Sequence, residues 1–172
     1  MRTIVCFLLI LLSSCKEKQK TNEKVNIENT QEQFRLPNSE YVILTHQKEW
    51  FWVFRNRNPS EIIPSKLSES ELITIENILT IAIKENNENR SENKILKTDI
   101  EINLTDYKRQ YVPIINTQGE KEVWVNFFCE SFAADKWRTK TVQVEDGGKC
   151  YFNIKINLNT KEYYDLEING SI

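Results

Sequence analysis

Histidine and glycine are scarce in this sequence: one histidine, His46, and four glycines stand among 172 residues. One imidazole, with cysteines at no paired ligand spacing, leaves zinc without a site of the usual kind. His46 falls between two apolar runs and reads as a plain surface residue rather than a general base. No glycine-rich loop offers its amides to a phosphate, and neither a serine elbow nor an HExxH helix is present. Carboxylates are plentiful, yet no spacing singles out an acid–base pair. The N-terminal apolar run, Ile4 to Leu12, is nine residues long, short of the roughly 20 that a spanning helix needs.

What precedes and follows that run is informative. One base, Arg2, leads it, and Ser13-Ser14-Cys15 closes it, the layout of a secretory signal. Leu12-Ser13-Ser14-Cys15 resembles the lipobox of bacterial lipoproteins. The resemblance implies cleavage before Cys15, a diacylglyceryl group on its thiol and a fatty acid on its new amino group. The chain is similar to small lipoproteins of Asn-, Lys- and Ile-rich bacterial genomes, and Cys15-Lys16-Glu17-Lys18 resembles Bacteroidetes-type envelope lipoproteins. The implied location is the cell envelope, the outer membrane before the inner. Several acyl chains on one residue anchor a protein durably without a membrane-spanning helix.

Removing residues 1–14 deletes one base and no acid, leaving 22 basic against 25 acidic side chains, a charge of −3. That balance argues against a nucleic-acid partner. Residues 15–34 carry the lipidated cysteine and a polar stretch too poor in apolar groups to fold, a tether. Residues 35–172 suit one domain with one core.

Within that domain, Tyr41 to Thr45 and Trp50 to Phe54 predict a hairpin, with Trp50 and Trp52 in a core rather than on a sugar-binding shelf. Ser68-Glu69-Ser70-Glu71 is a capping box, stapled by Leu67 and Leu72. Leu72, Ile75, Leu79, Ala82 and Ile83 form a helical stripe, flanked by Ile73 and Ile81, so a helix is placed at about residues 69–86. Residues 85–94 read as an exposed loop, and 95–104 as a short strand. Tyr107 to Asn116 and Lys121 to Glu130 predict a second hairpin around Gly119, with Pro113 at an edge or bulge. Thr141 to Glu145 and Lys149 to Leu158 predict a third, joined by the three residues Asp146-Gly147-Gly148. A last strand, Tyr163 to Asn169, would turn Tyr164, Leu166 and Ile168 inward by alternation.

Cys129 and Cys150 both alternate inward, and an oxidising compartment favours their disulfide. A simple meander would hold them roughly 9.5 Å apart, past the ~7 Å limit. A bridge therefore requires the 121–130 and 149–158 strands to be neighbours or to face each other.

Tyr107, Arg109 and Tyr111 share one strand face and are ligand-contact candidates, through stacking and a guanidinium fork; the alternative is packed tyrosines with Arg109 on a cross-strand Glu. Trp137 is a further candidate. No catalytic, cofactor or metal site emerges. The fold class is α+β: one long helix on a curved antiparallel sheet of five or more strands, similar in element order to cystatin-like and nuclear-transport-factor-like folds. A β-sandwich with a peripheral helix is the alternative. Function reads as a non-catalytic, lipid-anchored binding or accessory protein with an envelope protein or glycan as partner. The alternatives are an inhibitor or immunity-type protein acting through residues 131–139, or a carboxylate-based envelope enzyme with two acids in a deep pocket.

Overall fold

Ser68 and Glu71 start the helix reciprocally. The Glu71 amide donates to Ser68 Oγ at 3.3 Å, and the Ser68 amide donates to Glu71 Oε2 at 2.8 Å. Such a cap stabilises a helix by about 1 kcal/mol. Glu71 also takes the Lys121 ammonium at 2.6 Å. Burial alone would raise its pKa, but Lys121 and Ser68 hold it below the usual value. Helix α1 runs Glu69–Ser91, past the predicted end at 86. Its last turns lack apolar periodicity, but extending a formed helix costs little. The stripe Leu72, Ile75, Leu79, Ala82 and Ile83 is buried, joined by Ile78, while Ile81 is 46% exposed.

The computed structural model describes residues 41–55, 57–91, 104, 107–129 and 134–170. The lipobox, Cys15, the tether and residues 95–103 of the strand predicted at 95–104 lie outside them. Strands β1 (Tyr41–Ile43), β2 (Ile63–Pro64), β3 (Lys108–Ile115), β4 (Lys121–Phe128), β5 (Tyr151–Asn157) and β6 (Glu162–Ile168) form one mixed sheet of six strands among the described residues. It is open, not a barrel. The β3–β4 hairpin turns at Asn116–Glu120, where Asn116 Oδ1 accepts the Gln118 and Glu120 amides and Gly119 adopts φ +78°. β4 pairs with β5 and β5 with β6, all antiparallel.

The N-terminal hairpin does not form. β1 pairs in parallel with β3 at 109–111, and β2 pairs antiparallel with β3 at 114–115. Pro113 sits at the seam between them. Its carbonyl accepts from the Ser65 amide at 3.0 Å, so its missing donor faces the short strands and β4 loses nothing. The predicted strand Trp50–Phe54 is absent: a 3-10 turn at Lys48–Trp50 runs on into irregular turns over residues 51–55. Val53 and Phe54 are buried, Phe51 is 61% exposed, and Trp52 packs edge-on against Trp124 with centroids 5.4 Å apart.

Both sheet faces are covered. Helix α1 lies over Tyr111, Val123, Val125, Phe127, Phe152 and Ile154, where Phe127 and Phe152 stack at 4.3 Å. The opposite face packs Leu44, Val53, Phe54 and Ile62 on Val112, Ile114 and Trp124. Beside them, Trp137 packs on Phe128 and Tyr151.

Residues 141–147 are not a strand, so the predicted Asp146-Gly147-Gly148 hairpin is absent. The sheet's own side chains hold this segment. Gln110 Nε2 donates to the carbonyls of Trp137 (2.5 Å) and Lys140 (2.7 Å), its Oε1 accepts the Val142 amide at 2.8 Å, and Asn126 Nδ2 donates to the Val142 carbonyl at 2.8 Å. With backbone groups engaged this way, no ladder is left to pair. β4 and β5 become direct neighbours, and Cys129 and Cys150 stand at disulfide distance, their Cα atoms 5.1 Å apart.

β6 departs from strict alternation. Asp165 adopts φ +49°, and the β5–β6 register shifts between Asn153 and Lys155. This bulge offsets the strand by one residue. Tyr163, Leu166 and Ile168 pack on the helix side, whereas Tyr164, predicted inward with Leu166, turns to the other face.

Candidate functional site

The second face of β5 is polar where the first is apolar: Asn153, Lys155 and Asn157 alternate with Phe152, Ile154 and Ile156. Covering that face forces each polar group to find a partner. Trp124 Nε1 donates to Asn153 Oδ1 at 3.0 Å. Lys155, only 4% exposed, places Nζ 2.8 Å from Asp165 Oδ2. It also lies 5.9 Å from the centroid of the Tyr164 ring. The β6 bulge brings both of these partners to the site.

Glu122 of β4 lies alongside, 2% exposed. It accepts from Arg57 Nε at 2.9 Å and from Arg57 Nη2, from Asn116 Nδ2 at 2.9 Å, and from the Tyr164 hydroxyl at 3.0 Å. Arg57 is set by a tight turn, its amide donating to the Phe54 carbonyl at 2.8 Å. Burial opposes the Arg57 charge, but Glu122 and Tyr164 outweigh it and its pKa is raised. Burial, then the Glu122 carboxylate, pushes the Tyr164 phenol up. Asn116 and Asn157 amides hold Glu120, at the margin of this network, below the usual carboxylate range.

Phe54, Arg57, Lys155, Tyr164 and Asp165 line a half-open recess of about 150 Å³. Its two cations, Arg57 and Lys155, are each matched to one carboxylate. The arrangement supplies donors, an acceptor and aromatic walls without net charge.

The predicted contact residues lie elsewhere. Tyr107, Arg109 and Tyr111 do share a face, but it is the one under α1, and they are 6%, 0% and 0% exposed. Arg109 Nη1 pairs with Glu76 of the helix, not with a cross-strand Glu, and the Tyr111 hydroxyl donates to the same carboxylate at 2.9 Å. Arg109 Nη2 donates to the Leu104 carbonyl at 3.1 Å, and the guanidinium lies 5.3 Å from the centroid of Phe127. Burial, then Glu76, drives the Tyr111 phenol up. Trp137 is 3% exposed, with the Arg138 guanidinium 4.3 Å from its ring centroid. Among the described residues no group of three His, Cys, Asp or Glu is placed to hold a metal, and no helix is long and apolar enough to cross a membrane.

His46 is 5% exposed rather than at the surface, its ring 6.0 Å from Phe54. Burial lowers its pKa from 6.5, against the opposing pull of Glu49. A depressed folded-state pKa means that the unfolded chain takes up the proton first. Stability is therefore full above pH 6.5 and is lost as pH falls through and below that value. The urea midpoint should drop between about pH 8 and about pH 5, and His46→Phe should flatten the drop. Equal pH slopes in the two proteins would show that His46 is solvated.

No protein-family model, curated protein or solved structure matches this chain.

Proposed function

We propose that this chain is a lipid-anchored, non-catalytic binding or accessory protein of the bacterial cell envelope, most compatible with the outer membrane, meeting a protein or glycan partner. The observation that carries the non-catalytic part is the pairing around the recess: Arg57 with Glu122 and Lys155 with Asp165. A carboxylate enzyme needs an acid and a base able to exchange protons with substrate. Here Glu122 accepts from Arg57, Asn116 and Tyr164, and Asp165 holds Lys155. Groups committed in this way suit recognition better than proton transfer. The anchor rests on Leu12-Ser13-Ser14-Cys15, and a bridged Cys129–Cys150 pair suits an oxidising envelope.

Intact mass of the mature protein tests the anchor. The expected mass is that of residues 15–172 plus a diacylglyceryl and an acyl group, rising by two hydrogens on reduction of the bridge. An unprocessed or unacylated chain would remove the envelope anchor. Crosslinking of intact cells should then recover a discrete envelope partner, and recovery of none under several growth conditions would remove the binding role.

A further inference from the structure

Lys155 is the least satisfied charged group on the second face. An ammonium carries three N–H donors, and among the described residues only Asp165 Oδ2 accepts from it. The side chain is 5% exposed and lines the recess, so the remaining donors are largely cut off from bulk water. Unfilled buried donors of a charged group are costly, and an acceptor in the recess would relieve them. Asp165 complements this. One of its oxygens holds Lys155, the carboxylate is 39% exposed, and its left-handed backbone aims both it and Tyr164 at the cavity.

We propose that the recess lined by Phe54 and Tyr164 binds one uncharged, hydroxyl-rich ring, a single sugar residue of an envelope glycan, with its hydroxyls on Lys155 and Asp165. The proposal rests on the binding role above and gives that role a ligand.

Charge, wall chemistry and size all favour this class. Arg57 and Lys155 balance Glu122 and Asp165, so an ion gains no net attraction. A free carboxylate or phosphate reaching the open donors of Lys155 would lie beside the Asp165 carboxylate, 2.8 Å from the same ammonium, and two like charges sharing a site repel. Hydroxyls both donate and accept, so they can satisfy Lys155 and the open oxygen of Asp165 without breaking either pair. Tyr164, partly exposed, presents aromatic surface to the apolar face of a ring, and the buried Phe54 backs the recess. A volume of about 150 Å³ is below the roughly 300–1,000 Å³ of drug-sized pockets, so it admits no more than one ring and an oligosaccharide would extend outside.

The test uses the full mature chain, ¹⁵N-labelled, in detergent micelles. It is titrated with glucose, galactose and N-acetylglucosamine, then with acetate and inorganic phosphate. At least one neutral sugar should give saturable amide shifts at Phe54, Lys155, Tyr164 and Asp165. Asp165→Asn, which tolerates the left-handed backbone, should weaken that sugar roughly tenfold, as should Lys155→Met. Unchanged β3–β4 amide positions show that each variant is folded, and Asp165→Asn decides the matter if Lys155→Met is not. The proposal is overturned if no neutral sugar moves these amides, or if acetate or phosphate binds there more tightly than every sugar. A crosslinked partner recovered alongside such a failure would leave the binding role standing and remove only the recess.

Discussion

Glu76→Ala is expected to destabilise the domain by about 3–5 kcal/mol, because it strands the Arg109 guanidinium under the helix. Arg109 is fully buried and Glu76 is 4% exposed. The guanidinium's remaining contacts, the Tyr111 hydroxyl, the Leu104 carbonyl and the face of Phe127, carry no charge that could neutralise it. A loss of that size is a large share of the 5–15 kcal/mol typical of a whole domain. Urea unfolding followed by tryptophan fluorescence measures it. Replacing the pair together, Glu76→Leu with Arg109→Met, should recover most of the loss, because no uncompensated charge remains. A single-variant cost below about 1 kcal/mol would place the pair in the range of solvent-exposed bridges, contrary to the packing described.

Removing the Cys129–Cys150 link should cost about 3 kcal/mol, the chain-entropy value for a loop of this length, the separation being 21 residues. A Cys129→Ala, Cys150→Ala double variant avoids free thiols. The Cys129 amide donates to the Cys150 carbonyl at 3.0 Å, so the backbone stays in register there. The effect should therefore concentrate on the loop. Residues 136–147 are tied to the sheet through Gln110, Asn126 and Asn169, and their exposed bases Lys136, Arg138 and Lys140 report local opening to trypsin. Faster cleavage at these bases is the expected result. Unchanged cleavage together with unchanged stability would show that the side-chain ties alone hold the segment.

The elements legible in the sequence were those whose hydrogen bonds are local or whose faces differ strongly. The Ser68–Glu71 box and its stripe located α1, and uninterrupted alternation from Lys121 and from Lys149 located β4 and β5. The Trp50–Phe54 and Thr141–Glu145 runs have strand-like composition, but they serve as irregular cover over the second face. What decides their conformation is distant: Gln110 and Asn126 take the backbone groups that a strand would have paired. The Arg109 partner was readable in principle. Glu76 falls four residues after Leu72 and three before Leu79, squarely on the buried stripe, and an acid in that position implies a buried base. The recess was not readable. It joins residues 54, 57, 155, 164 and 165, and Tyr164 reaches it only through a bulge that period-two reasoning cannot see.

That bulge also bears on how the molecule behaves beside other copies of itself. β6 closes one side of the sheet, pairing only with β5 among the described residues. A regular margin of seven residues would be a template on which another chain could add a strand. Asp165 kinks that margin near its middle, so two such margins meeting edge to edge would mismatch in shape. The distortion that points Tyr164 into the recess thus also works as a guard against strand-by-strand aggregation.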